Sequence, residues 1–254
     1  MNENEKIAAA AYFEGITSIK AVISGKLSGV NDRNVECVYF DKNSKRTKER
    51  ELSYLSKMKD TIGYDLLFCD RNEINNMCVG STHGGIIAKC SDRNYKTVLP
   101  DSLSDKKFFV MLEGIEDPFN FGYALRSLYA FGVDAVLLPE RNWMSAAPIV
   151  CRSSAGASEL IDIYSVDCEN AVRHFKSLGA SVIATAKENS CSISDISVNT
   201  PVLLIIGGEK RGISKKILKL ADHTVRIDYS RSFSSLSAAS AAAILGYEIS
   251  KRLD

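Results

Sequence analysis

The chain has only three histidines, His83, His174 and His223, and none lies close to another or to a pair of cysteines. Its seven cysteines, at positions 37, 69, 78, 90, 151, 168 and 191, never form a C-x-x-C or C-x-C pair. Ligand spacing for zinc is therefore missing, and no metal is expected. An odd number of scattered cysteines without a leader peptide favours reduced thiols and a cytoplasmic location. No apolar run approaches 18 residues, which argues against a membrane span. Charge of one sign is also missing, since 32 basic residues face 31 acidic ones and the net charge is +1. A nucleic-acid partner would have to be met by local positive charge.

What remains is an ordinary globular composition, 45% hydrophobic and 25% charged over 254 residues, long enough for one large or two small domains. Residues 1–92 alternate short apolar runs with polar turns. "VECVYFD" (35–41) and "DLLFCD" (65–70) read as strands, and "HGGIIAKC" (83–90) as a Gly-led strand. Between the first two, Leu52, Leu55 and Met58 recur every three residues, a helix pattern. A small α/β domain is expected over 1–92. Residues 93–106 are polar, contain Pro100 and lack periodicity, as a linker would.

From residue 107 the pattern is regular. "FFVMLEGI", "DAVLLP", "ASVIATA" and "PVLLIIGGE" are strand-like, and "GYALRSLYAFG" and "CENAVRHFKSLG" are helix-like segments among them. Such alternation implies βαβ units and a parallel sheet over 107–254. "PVLLIIG" is apolar throughout, as expected of a strand buried on both faces. Residues 235–252 read as a closing helix with Leu236, Ala239, Ala243, Ile244 and Tyr247 on one face.

Two segments follow strands and could carry chemistry. In "EDPFNFGYALR" (116–126), Asn120 is read as a helix N-cap, Gly122 permits close approach, and Arg126 lies inside the helix. A capped turn with a surface arginine explains the same residues. In "IIGGEKRGIS" (205–214) a buried strand ends in Gly-Gly, an acid, two bases and a glycine. It is neither G-x-G-x-x-G nor a P-loop. It leaves a Gly-rich turn able to offer backbone groups to a flat ligand, with Glu209 as cap, anchor or acid. Lys210, Arg211, Lys215, Lys216 and Lys219 make this corner basic, and the last three read as a solvated face. His83 in "GSTHGG" reads as a structural hydrogen-bonding group. Cys151 has no nearby histidine to activate it.

Together these segments resemble the SpoU/TrmH-type RNA ribose 2′-O-methyltransferase family of the SPOUT superfamily. "DPFNFGYALR" matches the N-x-G-x-x-x-R spacing at Asn120, Gly122 and Arg126. "SSAGAS" (153–158) resembles a family segment between motifs. "GGEKRG" matches G-x-E-x-x-G at Gly207, Glu209 and Gly212. Ile227 through "SSLSAASAAAILGYE" resembles the third motif and its Ala-rich helix. "FEGITSIKAVISG" and "STHGGIIAKC" resemble the start and end of the family's L30e-like substrate-binding domain.

The resemblance implies an α/β chain with a trefoil-knotted parallel-sheet domain, S-adenosyl-L-methionine as cofactor, RNA (rRNA or tRNA) as substrate, and a homodimer. It implies that Gly207, Gly208, Gly212, Ile227, Leu236 and Ser237 line the cofactor site, with Gly207, Ile227 and Leu236 acting largely through backbone. It assigns Arg126 to the ribose hydroxyl, Asn120 and Glu209 to orienting that arginine and the loops, and Ser235 to supporting the third motif. The chain departs from the pattern at Asp228, Tyr229 and Arg231, where the family has Pro, Met and Gly, and at Ser237, where it has Asn. These departures leave a second reading open, a catalytically degenerate RNA-binding paralogue. Lys42, Lys45, Arg46, Lys48 and Arg50 are candidates for RNA contact, or for a solvated turn.

Overall fold

Apolar runs bounded by turn residues become strands in both halves of the chain. The structure, a computed structural model, describes residues 12–78, 80, 82–103, 105–140, 146–231 and 235–253. A short strand β1 (Tyr12–Glu14) turns at Gly15, φ +81°, into helix α1 (Gly15–Leu27). Then follow β2 (Val35–Asp41), α2 (Glu49–Ile62), β3 (Asp65–Cys69), α3 (Arg71–Met77) and β4 (Ile86–Cys90). They form a four-stranded sheet in the order β1-β4-β2-β3, with β2 and β3 parallel and the other pairs antiparallel. The three-residue spacing in α2 has its expected effect: Leu55 is buried, and Leu52 and Met58 pack partly buried against the same core.

The second sheet comprises β5 (Phe108–Glu113), β6 (Ala135–Leu138), β7 (Asp162–Ser165), β8 (Ser181–Thr185), β9 (Cys191–Ser192), β10 (Val202–Gly207) and β11 (His223–Arg226). The order is β7-β6-β5-β10-β8-β11-β9, and every pairing is parallel. Helix α4 (Pro118–Ala130) links β5 to β6, and helix α5 (Ala147–Ser153) lies between β6 and β7. Helix α6 (Cys168–Ser177) precedes β8, α7 (Lys215–Leu218) precedes β11, and α8 (Ala238–Ser250) closes the fold. Val202–Ile206 are buried without alternation, because β10 is flanked by β5 and β8 and covered on both faces. All carboxyl ends lie on one edge of this sheet, where open α/β sheets bind ligands.

Helix α8 corrects one expectation. Its buried side carries Ala238, Ala239, Ala242, Leu245, Gly246 and Ile249, whereas Ile244 and Tyr247 are exposed. The helix packs through small residues: a Cβ at Gly246 would stand 3.2 Å from Leu128 of α4. So many alanines leave the apolar side unmarked in the sequence.

The described residues fall into two compact units, one within Met1–Asn94 and Asn142–Leu160, the other within Tyr95–Arg141 and Ile161–Asp254. Residues 146–160 thus lie in sequence inside the stretch expected to form the second domain, yet pack with the first unit. Ala147 and Cys151 enter its core beside Phe13, Ile19 and Ile23. Gly156, at φ +92°, has no room for a side chain because the Ala21 methyl occupies that space. A Cβ at Gly25 would collide with the carbonyl of Glu159. Arg33 and Glu159, 3% and 2% exposed, form a buried ion pair at 2.8 Å. Asn31 donates to the carbonyl of Glu159 (3.0 Å), and Arg93 to those of Ser158 and Val30. The expected linker at 93–106 begins with this buried Arg93. Further on, Lys96 runs beside β7, donating its N–H to Ile163 and accepting from Ser165 (3.0 and 2.8 Å).

Candidate active site at the carboxyl edge of the second sheet

The edge is built where β5 and β10 end side by side. Gly208 donates its N–H to the carbonyl of Glu113 (2.6 Å), and Gly212 donates to the carbonyl of Gly208 (2.9 Å), folding "GGEKRG" into a tight turn. A side chain at Gly207 would stand 2.6 Å from the backbone of Gly212, and one at Gly208 would collide with the carbonyl of Gly114. Both glycines are therefore needed for backbone-to-backbone approach rather than for left-handed geometry. Gly208→Ala is expected to cost about 3 kcal/mol through overpacking, read by urea denaturation. A midpoint equal to wild type would show that the turn yields.

Sequence reasoning placed the N-cap of α4 at Asn120; the structure corrects this. Asp117 is the cap, its Oδ2 accepting the N–H of Asn120 (2.8 Å), and Pro118 occupies the first helical position. The Asp-Pro pair was the available signal. With the cap supplied by Asp117, the Asn120 side chain is released to donate from Nδ2 to Glu209 Oε1 (2.8 Å). The same oxygen accepts the N–H of Ala238 at the start of α8 (3.2 Å). Glu209 thus ties the first motif, the glycine turn and the third-motif helix together, with its carboxylate at the positive end of a 13-residue helix. Arg126 stands apart from this tie. It is exposed on α4, on the outward stripe with Phe119 and Tyr123, and among the described residues no bond joins it to Asn120 or Glu209.

Ile227 is half-buried just beyond β11, and Leu236 and Ser237 lead into α8. The departures from the family pattern acquire local explanations. Ser237 is the N-cap of α8, its Oγ accepting the N–H of Ser240 (3.1 Å), a role serine fills as well as asparagine. Asp228 accepts from Arg226 Nε (2.8 Å). The Tyr229 hydroxyl accepts the N–H of Leu236 (3.3 Å), a bond that a methionine could not make. Arg231 is exposed, as is Ser235; Ser232, Phe233 and Ser234 lie outside the described residues. Two groups at this edge escaped sequence reasoning. Thr185, ending β8, accepts from the Gly207 N–H (3.4 Å), and Glu113, ending β5, accepts the Ser214 N–H (3.1 Å). Neither carries a local signal, because each is defined by the strand beside it.

The remaining candidates are structural. Gly85 donates to His83 Nδ1 (3.0 Å), so His83 Nε2 carries the proton and donates to Asn75 (2.9 Å). Burial lowers the imidazole pKa and keeps it neutral. Cys151 is fully buried, and burial pushes its thiol pKa far up, so it is inert. Among the described residues no group of three or more His, Cys, Asp or Glu could hold a metal, and no helix is long and apolar enough to cross a membrane.

An S-adenosylmethionine site must accommodate a flat base through backbone groups and keep space free beside them. The residues fit this requirement. Gly207 and Gly208 bring backbone against backbone at the end of β10, and at Gly212 the space beside the turn is open, with nothing within 4 Å of where a Cβ would be.

Known proteins match this chain. Residues 107–247 match the family model of the SpoU rRNA methylases, and residues 14–96 that of the RNA 2′-O ribose methyltransferase substrate-binding domain. The 23S rRNA (guanosine-2′-O-)-methyltransferase RlmB of Coxiella burnetii is 28% identical over 236 residues, covering 91% of this chain and 92% of that protein. Its counterpart from Nitrosomonas europaea is 26% identical over 219 residues, covering 85% and 83%. An AdoMet-bound rRNA methyltransferase from Sinorhizobium meliloti superposes with a TM-score of 0.80 at 19% identity, covering 98% of this chain and 94% of that one. The chain belongs to the SpoU rRNA methylase family, the S-adenosylmethionine-dependent methyltransferases that act on RNA ribose 2′-hydroxyls.

Proposed function

We propose that this protein methylates a ribose 2′-hydroxyl of ribosomal RNA in the cytoplasm, working as a homodimer. The observation that carries the reading is the tie from Asn120 through Glu209 to the N-terminus of α8. It joins all three motif segments at the edge where a cofactor is expected. The relatives named as 23S rRNA methyltransferases favour ribosomal RNA over tRNA.

Gly207, Gly208, Gly212, Ile227, Leu236 and Ser237 hold the cofactor, mainly through backbone groups. When bound, the cofactor supplies a methyl group activated by its sulfonium. The chain's task is to place the hydroxyl and help its proton leave. The Arg126 guanidinium positions the hydroxyl and a neighbouring phosphate through charge-assisted bonds. Asn120 and Glu209 fix the loops around that position, and Ser235 supports the third motif. Residues 1–92 form the RNA-binding domain, completed by 146–160. We read the chain around the second and third motifs as forming a trefoil knot, as the resemblance to the family implies.

The dimer reading rests on an exposed apolar stripe. Phe119 and Tyr123 on α4 and Ile244 and Tyr247 on α8 are all exposed, although α4 and α8 pack on each other. Patches of this kind mark interaction surfaces. Sedimentation at micromolar concentration should give twice the chain mass, and Tyr247→Glu should give the monomer.

Isothermal titration with S-adenosylmethionine tests the cofactor site directly. Saturable heat at one cofactor per chain is expected. No heat at high protein concentration would leave only the degenerate, RNA-binding paralogue.

A further inference from the structure

Strand β3 is the edge of the four-stranded sheet and is unusually exposed for an apolar strand. Leu67 and Phe68 are 47% and 43% exposed. Phe68 sits opposite Phe40 in the register and touches its ring edge-on, at 6.1 Å between centroids. That contact anchors one part of the Phe68 ring and leaves the rest at the rim. Over the ring lies the Lys45 ammonium, 3.7 Å from the centroid.

The surroundings are basic in a specific way. Lys42 is neutralised by Asp70 (2.8 Å) and Arg71 by Asp41 (3.4 Å). Asp70 and Glu73 are otherwise engaged in capping α3. Lys45, Arg46 and Lys48 have no carboxylate within ion-pair distance among the described residues. Lys45 and Arg46 are exposed. Lys48 reaches the turn at Gly84, where a Cβ would stand 3.0 Å from its Nζ. An exposed, partly anchored aromatic ring thus carries one cation over its face, and the segment that supplies it holds two more, none with a carboxylate partner among the described residues.

We propose that Phe68 is the stacking platform for one unpaired nucleobase of the RNA substrate, with Lys45 moving from the ring to the adjacent phosphate. Any base offers a π-face, so the platform selects unstacked nucleotides rather than a sequence. An A-form duplex buries its base faces and offers the ring nothing. Arg46 and Lys48 track the backbone on either side. The idea rests on the RNA methyltransferase reading and adds the RNA-contact mode that the family assignment leaves open. A protein partner would also cover an apolar edge, but it would not need a cation over the ring and two more, Arg46 and Lys48, in the same segment without a carboxylate partner.

The test uses the full chain, a short fluorescein-labelled single-stranded RNA, and the same strand in a perfect duplex, read by anisotropy. Phe68→Ala should weaken single-strand binding roughly 5- to 100-fold, the range for removing one base–aromatic stack, and leave duplex binding within about twofold. Phe68→Trp should keep it. Lys45→Ala should lower the slope of log affinity against log salt by about one contact. Equal affinity of Phe68→Ala and wild type for the single strand, equal losses on both RNAs, or no binding of either RNA by wild type would overturn the proposal. Cofactor titration of the same preparations separates this from the enzyme reading, because a failed platform leaves cofactor binding intact.

Discussion

Arg126→Ala is expected to bind S-adenosylmethionine within about twofold of wild type and to transfer methyl groups at least about 100-fold more slowly. The separation follows from geometry. Asn120 and Glu209 are bonded to each other and to the start of α8, so they shape the edge whether or not Arg126 is present. Arg126 is exposed on the outward stripe of α4 and supports none of those bonds. Under the proposed role, its removal should cost contacts to the substrate and spare the turn. Arg126→Lys keeps the charge but not the planar fork, so only part of the rate should return. Glu209→Gln should behave differently. It replaces a carboxylate that accepts both the Asn120 amide and the Ala238 N–H, so cofactor affinity and rate should fall together. Equal losses of cofactor binding and rate in Arg126→Ala would place the arginine among the framework residues.

Glu159→Ala should be the most destabilising single change in the first unit, by about 3–5 kcal/mol, lowering the melting temperature on the order of 10 °C for a chain of this size. Arg33 is buried, and although burial pulls its pKa down, the charge and hydrogen bond of Glu159 together raise it. Without Glu159 the guanidinium has no carboxylate to face. The Arg33 Nη1 bond to Ser91 (2.9 Å) satisfies only one of its remaining donors. Replacing both partners, as Arg33→Met with Glu159→Leu, should recover most of the loss, because the pair's own desolvation penalty disappears with it. A melting temperature of Glu159→Ala within about 1 °C of wild type would show that 146–160 does not hold the first unit together.

Legibility differed sharply between parts of the chain. "VECVYFD" and "PVLLIIG" declared themselves as strands because their apolar content depends on local neighbours, and the periodicity of α2 located Leu55 correctly. The α/β class with a parallel sheet follows from runs of this kind, whereas the motif residues are legible only through their resemblance to the SpoU/TrmH family. The destination of residues 146–160 did not. Their helix is only seven residues long, and their place is set by Arg33 and Glu159, which are 126 residues apart. The outward face of α8 was misread for a related reason, since alanines on several sides leave the buried stripe to be chosen by α4. At the site, Asn120 and Glu209 were both named, but the bond between them spans 89 residues and no local pattern encodes it. Ser237 departs from the family's asparagine in the sequence, and its cap on Ser240 is visible only with the start of α8 in place.

Methyl transfer itself decides whether those motif residues form a working enzyme. Purified full-length protein incubated with methyl-labelled S-adenosylmethionine and unmodified ribosomal RNA should label the RNA, and complete nuclease digestion should release the label as a 2′-O-methylnucleoside. The label should disappear in Arg126→Ala. RNA that stays unlabelled while the protein remains folded and binds the cofactor, or label found on a base rather than a ribose, would contradict the assignment.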